Sequence, residues 1–158
     1  MEENIERTFD FIAKHEGCKV HKVSGDSGGL TSAYGLTLKT MKALNLDLDD
    51  DGDVDADDVN LVNAEVAMQA FKEHYWDAID GDNLPSGLDL MYADVAWNSG
   101  VGRARQFINE GYETTEALLA RRLKYYRSIV AKRPSQRKFL NGWENRANDS
   151  YEEAQDCV

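Results

Sequence analysis

The chain has 158 residues, of which 42% are hydrophobic and 30% are charged, and its formal net charge is −11. This composition is typical of a folded domain with a buried core, and it excludes a disordered chain. We therefore predict a single domain over residues 1–158. No apolar run approaches the ~20 residues that cross a bilayer, which excludes membrane insertion.

The charges are distributed unevenly along the chain. Eight of the 29 acidic residues lie in the segment 47–58, whereas residues 101–146 contain eleven Lys and Arg against four Glu. The basic half lacks interleaved glycines and aromatic stacking motifs, and the whole-chain pI of about 4.6 disfavours phosphate binding. We therefore expect no nucleic-acid partner.

The N-terminal segment carries no sign of a secretory signal, because it starts with acidic residues and then becomes amphipathic. We expect the protein to be made in the cytoplasm and to stay there until another factor releases it. Cys18 and Cys157 belong to no CxxC motif, and two free thiols are the expectation for a cytoplasmic product.

The first elements surround a glycine-rich segment. Apolar residues at helical spacing predict a helix over residues 3–15, which Gly17 ends. The glycines that follow mark turns, and the segment between residues 20 and 36 is consistent with a small β-hairpin. Thr37 is a suitable N-cap for a further helix that runs through Leu44.

The rest of the chain alternates helical segments with polar turns. Asn63 and either Thr114 or Thr115 are suitable N-caps, and Ser86 with Asp89 resembles a capping box. The polar tail from residue 148 is expected to fray. The predicted helices cover residues 64–79, 87–98, 102–110, 116–133 and 136–147. These elements predict a mainly helical domain with at most one small hairpin.

The acidic segment 47–58 fits the twelve-residue EF-hand template. A hard cation such as Ca²⁺ takes six to eight oxygen ligands, and alternate positions of a tight loop direct them inward. Gly52 occupies position 6, where the chain turns sharply, and Val54 is the expected aliphatic residue at position 8. The predicted ligands at positions 1, 3, 5, 7, 9 and 12 are Asp47, Asp49, Asp51, Asp53, Asp55 and Asp58.

An aspartate at position 12 replaces the usual glutamate, which resembles the calcium loops of dockerin modules. Sensors usually pair two EF-hand loops, so a single loop predicts a structural Ca²⁺ site. The alternative is a solvated acidic loop whose aspartates repel one another. That alternative does not predict the glycine and the aliphatic residue at their EF-hand positions.

Two carboxylates and a threonine lie around the glycine-rich turn. Cleavage of a glycosidic bond needs one protonated carboxyl and a second, ionised carboxylate. Glu16 follows an amphipathic helix, whereas Asp26 lies among serines and glycines, so the two side chains differ in environment as these roles require. Thr31 offers a hydroxyl that can orient water. The alternatives are a surface acid for Glu16 and a turn residue for Asp26.

The segment from Glu16 to Thr37 resembles the opening of the phage-type N-acetylmuramidases of glycoside hydrolase family 108. That family has an E-G-G-aromatic start followed by D-P-G-G-x-T-x-x-G-I-T. The resemblance continues in "YW…LP…D…N-x-G" and in the C-terminal "FLNGWENR". The matching residues include Glu16, Gly17, Asp26, Gly28, Gly29, Thr31, Gly35, Thr37, Tyr75, Trp76, Asp94, Asn98, Gly100 and Ala104.

The chain departs from the family pattern at three positions and at the acidic loop. Cys18 replaces the second glycine, Val20 stands near the expected aromatic residue, and Ser27 replaces proline. These departures concern the shape of the sugar subsite. The aspartate loop is interpreted as an insertion into the family pattern.

The resemblance implies a lysozyme-like α+β fold and specific residue roles. Glu16 would be the proton donor, with Asp26 and Thr31 as its partners. Tyr34 and Asn98 are plausible cleft residues, since aromatic faces and amides suit sugars. No metal is implied for catalysis itself.

The implied activity is that of a phage endolysin. Such an enzyme hydrolyses the β-1,4 bond between N-acetylmuramic acid and N-acetylglucosamine in bacterial peptidoglycan. We expect a monomer that waits in the host cytoplasm, is released through a holin and acts on periplasmic peptidoglycan, where the basic half would be attracted to anionic cell-wall polymer. The alternatives are a lytic transglycosylase on the same bond and a non-catalytic calcium-dependent binding module.

Overall fold

The computed structural model describes residues 2–17, 21–22, 30–32 and 34–157, and most of them are helical. Two short strands, β1 (His21–Lys22) and β2 (Leu30–Thr31), pair antiparallel, with His21 opposite Thr31. The helices are α1 Glu2–Glu16, α2 Leu38–Leu44, α3 Ala56–Leu61, α4 Ala64–Phe71, α5 Leu88–Ser99, α6 Val101–Asn109, α7 Thr115–Lys132 and α8 Arg137–Gln155. The mainly helical fold predicted from the sequence is confirmed.

Side-chain caps start several of these helices where the sequence predicts them. The side chains of Thr37, Asn63 and Thr114 each accept a hydrogen bond from the backbone N–H three residues later, at 2.9–3.2 Å. Such caps satisfy amides that have no partner inside the helix. The Ser86 hydroxyl instead accepts a hydrogen bond from Asn4 Nδ2 at 2.9 Å, and α5 begins after Gly87.

Two predicted boundaries are wrong. The segment 64–79, predicted as one helix, is α-helical only as far as Phe71. A π-helical turn, Lys72–Trp76, and a 3₁₀ turn, Asp77–Ile79, follow it. The tail predicted to fray is the second half of α8, which is helical through Gln155.

The chain forms two compact units. The helical unit combines the residues up to Phe11 with those from Lys72 onward. The loop unit is the continuous segment Ile12–Phe71. Helix α1 therefore contributes to both. The single domain over residues 1–158 stays a prediction.

The helical unit has α5 at its centre. The nine consecutive residues from Leu88 to Ala96 are buried, and α5 contacts α6, α7 and α8. The N-terminal half of α1 joins this unit through one buried and one part-buried polar contact. Asn4 Nδ2 donates to Asp89 Oδ2 at 2.8 Å, and Arg7 Nε lies 2.6 Å from Glu153 Oε1.

The loop unit places the aspartate loop between α2 and α3. Helix α3 contacts both α2 and β2. The buried apolar side chains of the loop unit include Ile12, Leu36, Met41, Val59 and Phe71. Within the described part of the chain, no helix combines the length and the apolarity that crossing a membrane requires.

Candidate active site and metal loop

Glu16 is the last residue of α1, and its side chain is half-buried. A carboxylate at this end of a helix is unfavourable, because the helix dipole and the free carbonyls there favour cations by about 0.3–1 kcal/mol. Capping therefore does not explain the residue, which points to another role.

The backbone of Gly35 lies directly against the Glu16 side chain. A Cβ atom added to Gly35 would lie 2.6 Å from Glu16 Oε2 and 2.7 Å from its Cγ. Gly35 also has a φ of +85°, which L side chains rarely adopt. Only glycine combines this conformation with so close an approach to the carboxylate.

Ser32 builds the turn that presents Gly35. Its side chain is fully buried, and its hydroxyl accepts hydrogen bonds from the N–H of Leu36 at 3.0 Å and of Tyr34 at 3.3 Å. Its carbonyl accepts from the N–H of Gly35 at 3.1 Å, and its own N–H donates to Leu36 O at 2.8 Å. Sequence reasoning missed this role for Ser32, because a serine among turn residues has many roles.

Two further predicted site residues, Thr31 and Tyr34, lie in or next to this turn. Thr31 ends β2, one position before Ser32, and half-buried Tyr34 lies inside the turn. Asp26 lies outside the described residues, so its place beside Glu16 stays a prediction. Asn98 is exposed near the end of α5, in the helical unit.

A chain of polar contacts inside the helical unit ends at Asn98. Asn98 Nδ2 donates to Tyr126 Oη at 3.4 Å, and Arg122 Nη2 donates to the same oxygen at 3.1 Å and to Asp94 Oδ2 at 2.7 Å. Arg146 Nε donates to Asp94 Oδ1 at 2.9 Å. The exposed amide is therefore connected to a buried ion pair.

Asp94 and Arg122 are both fully buried. Burial by itself raises the pKa of Asp94, but the charges and hydrogen bonds of Arg146 and Arg122 outweigh it and hold this pKa below its usual value. Arg122 Nη1 also donates to Ser150 Oγ at 2.6 Å, whereas its Nε has no partner among the described residues.

The aspartate loop brings three of its predicted ligands together. Carboxylate oxygens of Asp47, Asp49 and Asp58 lie within 4.8 Å of one another. These residues hold positions 1, 3 and 12 of the EF-hand template. Asp58 is 1% exposed, so this end of the group is buried.

Backbone amides shape the group. Gly52 adopts a φ of +99°, and its N–H donates to Asp47 Oδ2 at 3.0 Å. Asp58 accepts hydrogen bonds from the N–H of Leu48 and, at 2.7 Å, from that of Asp55, and these bonds lower the pKa of Asp58. Asp47 Oδ1 is buried and has no partner among the described residues. A buried carboxylate oxygen without a partner is unfavourable unless a cation or water satisfies it.

The three remaining predicted ligands are exposed and lie outside this group. Asp51 Oδ1 accepts from Asp53 N–H at 3.1 Å, and Asp55 Oδ1 accepts from Asp57 N–H at 2.7 Å at the start of α3. The charge of Asp51 is the largest cause that raises the pKa of Asp53 above its usual value. Mutual repulsion of this kind favours a bound cation.

Comparisons with known proteins identify the family of this chain. A family model described as Glycosyl hydrolase 108 matches residues 9–100, which is more than half of the chain. The chain belongs to the glycosyl hydrolase 108 family. It is therefore a glycoside hydrolase, and membership of this family indicates activity on peptidoglycan. The matched range contains Glu16, the Gly35 turn and the aspartate loop.

The fold of this chain is similar to that of a solved structure. The chain is similar to the structure of Brucella abortus SagA, with a TM-score of 0.78 and 22% identical residues. The match covers 98% of this chain and 95% of the SagA chain. At this identity the likeness shows the fold alone. No curated protein sequence is significantly similar to the chain.

Proposed function

We propose that this glycosyl hydrolase is a muramidase of the endolysin type. It hydrolyses the β-1,4 bond between N-acetylmuramic acid and N-acetylglucosamine, with Glu16 as the general acid. The main support is the half-buried carboxylate at the end of α1, against which the backbone of Gly35 is packed. An acid fixed in this way can be held within hydrogen-bonding reach of a leaving oxygen.

The remaining roles follow from the division of labour between two carboxyl groups. Asp26 is proposed as the ionised partner, and Thr31 as the hydroxyl that orients water. Tyr34 and Asn98 are proposed to contact the sugars. Asn98 is an exposed residue whose Nδ2 bonds to Tyr126, and its Oδ1 is proposed to accept from a sugar N–H or O–H group.

Product analysis separates this proposal from its rivals. Purified peptidoglycan is incubated with the protein, and the released fragments are analysed by mass spectrometry. A muramidase releases fragments with reducing muramic acid ends. Anhydro-muramic ends would identify a lytic transglycosylase and make Asp26 dispensable. No fragments in the presence of Ca²⁺ would favour a binding module, although membership of a glycoside hydrolase family supports an enzyme.

Substituting Gly35 tests the contact with Glu16. Gly35→Ala is expected to lower the turnover of peptidoglycan by about 10–100-fold, because the new Cβ displaces the Glu16 carboxylate and small misplacements of catalytic groups have effects of this size. The positive φ adds about 1–2 kcal/mol of instability. Turnover is measured as reducing ends released, beside the melting temperature.

Gly111→Ala is the matched control for this variant. Gly111 has a φ of +76°, but an added Cβ there meets no atom within 4 Å. It therefore reproduces the backbone strain without the clash and should keep its turnover. Equal losses of turnover in both variants would contradict a specific role for the Gly35 contact.

We also propose that the aspartate loop binds Ca²⁺ as a structural ion. The residues fit the ion, since Asp47, Asp49 and Asp58 supply clustered carboxylate oxygens, one of which is buried without a partner. Asp51, Asp55 and the backbone carbonyl of Asp53 would supply the remaining oxygens of an EF-hand loop. The bound charge would offset the repulsion among the aspartates and hold α2 and α3 together.

Removing Ca²⁺ is expected to lower the melting temperature by about 5–10 °C. A ligand at 100 times its Kd stabilises the folded state by about 2.7 kcal/mol, and 1 kcal/mol corresponds to about 2–4 °C in a chain of this size. The measurement compares thermal unfolding in excess Ca²⁺ and in excess chelator. Asp47→Asn should remove the difference, whereas Asp50→Asn, outside the ligand set, should keep most of it. An identical transition with and without chelator would exclude the site.

The cellular route is proposed from the sequence. The protein would act as a monomer that accumulates in the cytoplasm of a phage host and reaches periplasmic peptidoglycan through a holin. Co-expression with and without a holin, followed by measurement of lysis, tests this route. Lysis that is equally fast without the holin would contradict it.

A further inference from the structure

A basic cavity lies between α6 and α7 in the helical unit. Neither Glu16 nor the aspartate loop contributes to its lining. Its volume is about 280 Å³, close to the lower end of the range for small-molecule sites. Among the residues that the structure describes, no acidic side chain lines it. The lining residues are Arg103, Tyr125, Ser128, Ile129, Lys132 and Arg133.

The Tyr125 ring holds one of the cations in place. The guanidinium of Arg103 lies 4.4 Å from the centre of this ring, and Arg103 Nη1 donates to Gln106 Oε1 at 2.6 Å. A cation over an aromatic face is attracted by the ring and loses less freedom on binding a ligand. The remaining N–H donors of Arg103 stay available.

The cations of this cavity differ from their neighbours on α7. Arg121 and Arg127 each lie 2.7 Å from a glutamate oxygen. Arg103, Lys132 and Arg133 have no carboxylate partner within the described residues. The cavity thus concentrates three uncompensated positive charges in a protein whose net charge is −11.

The chemistry of the lining selects an anionic group. Lysine and arginine supply charge-assisted donors, Ser128 adds a hydroxyl, and Tyr125 and Ile129 offer apolar surface. Peptidoglycan, the substrate of the proposed function, carries its negative charge as carboxylates on its peptide stems. The aspartate loop, which carries eight of the 29 acidic residues, repels such a polymer, whereas a basic cavity in the helical unit provides a favourable contact.

We infer that this cavity binds a stem-peptide carboxylate of peptidoglycan and so holds the polymer on the enzyme. The inference rests on the proposed function, and it adds a second contact with the substrate, on the peptide. Such a contact would raise affinity for cross-linked wall without taking part in bond cleavage.

The test measures binding to purified peptidoglycan sacculi by co-sedimentation. The full chain carries Glu16→Gln throughout, so that turnover does not consume the sacculi. Lys132→Ala with Arg133→Ala removes two exposed charges from the cavity. Lys124→Ala with Arg137→Ala removes two exposed charges that do not line it, which makes it the charge-matched control. Each variant is tested on native sacculi and on sacculi whose carboxyls have been amidated.

The cavity variant is expected to bind native sacculi about three- to tenfold more weakly, as the loss of two partly exposed ion pairs allows. The control should change by less than about twofold. On amidated sacculi, the cavity variant and the parent should bind alike. Equal weakening by both double variants, or a difference that persists after amidation, would overturn the inference.

The failure of this inference is distinguishable from that of the proposed function. The proposed function fails if the wild-type protein releases no reducing muramic acid ends. The cavity inference fails on binding alone, whatever the products are. The control variant, Lys124→Ala with Arg137→Ala, should also hydrolyse peptidoglycan in the wild-type background as the wild type does.

Discussion

Replacing Glu16 with glutamine is expected to lower the release of reducing ends from peptidoglycan by about 10²–10⁴-fold, the range attributed to general acid catalysis. Glutamine has nearly the same shape but cannot donate the proton that the leaving oxygen needs. The half-buried position at the end of α1 should accept it without loss of packing. Removing a negative charge from a helix C-terminus should, if anything, slightly stabilise α1.

The measurement combines reducing-end release with thermal unfolding of the same preparation. Glu6→Gln, an exposed position on the same helix, is the control and should retain full activity. Substantial turnover by the Glu16 variant would remove this residue from the acid role. Loss of turnover together with a much lower melting temperature would mean that the carboxylate is needed for folding.

Replacing Asp94 with alanine is expected to destabilise the protein by about 3–5 kcal/mol, the usual cost of breaking a buried ion pair. Arg122 has no exposed surface, and Arg146 is largely buried, so both guanidinium groups would lose the charge that offsets their burial. The melting temperature should fall by about 6–20 °C. Thermal or urea unfolding measures the change, and Asp10→Ala, an exposed site on α1, should leave stability within about 0.5 kcal/mol.

The effect of the Asp94 substitution should depend on pH. Because the folded state holds the pKa of Asp94 below its usual value, its ionised form stabilises the folded state fully above the pKa of the unfolded chain. This contribution disappears as the pH falls through the lower, folded value. The wild type and the variant should therefore converge in acid. A difference that is constant from neutral to strongly acidic pH would contradict the ion-pair explanation.

Local sequence signals predicted the helix starts better than the helix ends. Thr37, Asn63 and Thr114 cap helices where their side chains suggest, since a cap depends on only a few neighbouring residues. The π-helical turn Lys72–Trp76 has no such local signal. It interrupts a segment whose apolar pattern remains helical throughout.

The end of α8 is helical, although its polar sequence predicts a frayed tail. Its buried residues Ala147, Ser150 and Ala154 follow helical spacing but are small, so the pattern of large apolar residues that marks a buried helix face is missing. The hydroxyl of the buried Ser150 accepts a hydrogen bond from Arg122 Nη1 on α7. Such a partner on another helix is invisible to a sequence considered alone.

In the candidate site too, local residue types were predictable from the sequence, whereas contacts between distant residues were not. Residue types and motif spacing led to Glu16 and to the aspartate loop, because acids beside glycines are chemically distinctive. The reason for Gly35 emerged only from its distance to Glu16, and the role of Ser32 only from its hydrogen bonds. Three of the predicted calcium ligands cluster, whereas Asp51, Asp53 and Asp55 stay outside the cluster.

The continuous course of the loop unit has a consequence for how such proteins diversify. Glu16, the Gly35 turn and the aspartate loop all belong to the uninterrupted segment Ile12–Phe71, whereas the helical unit uses both flanking parts of the chain. Two genetic crossovers, one near each end of this segment, would exchange Glu16 and the aspartate loop together. The buried Asp94–Arg122 pair would be inherited unchanged from the recipient gene. Recombination between related genes would thus transfer the proposed acid and the proposed Ca²⁺ loop as one block.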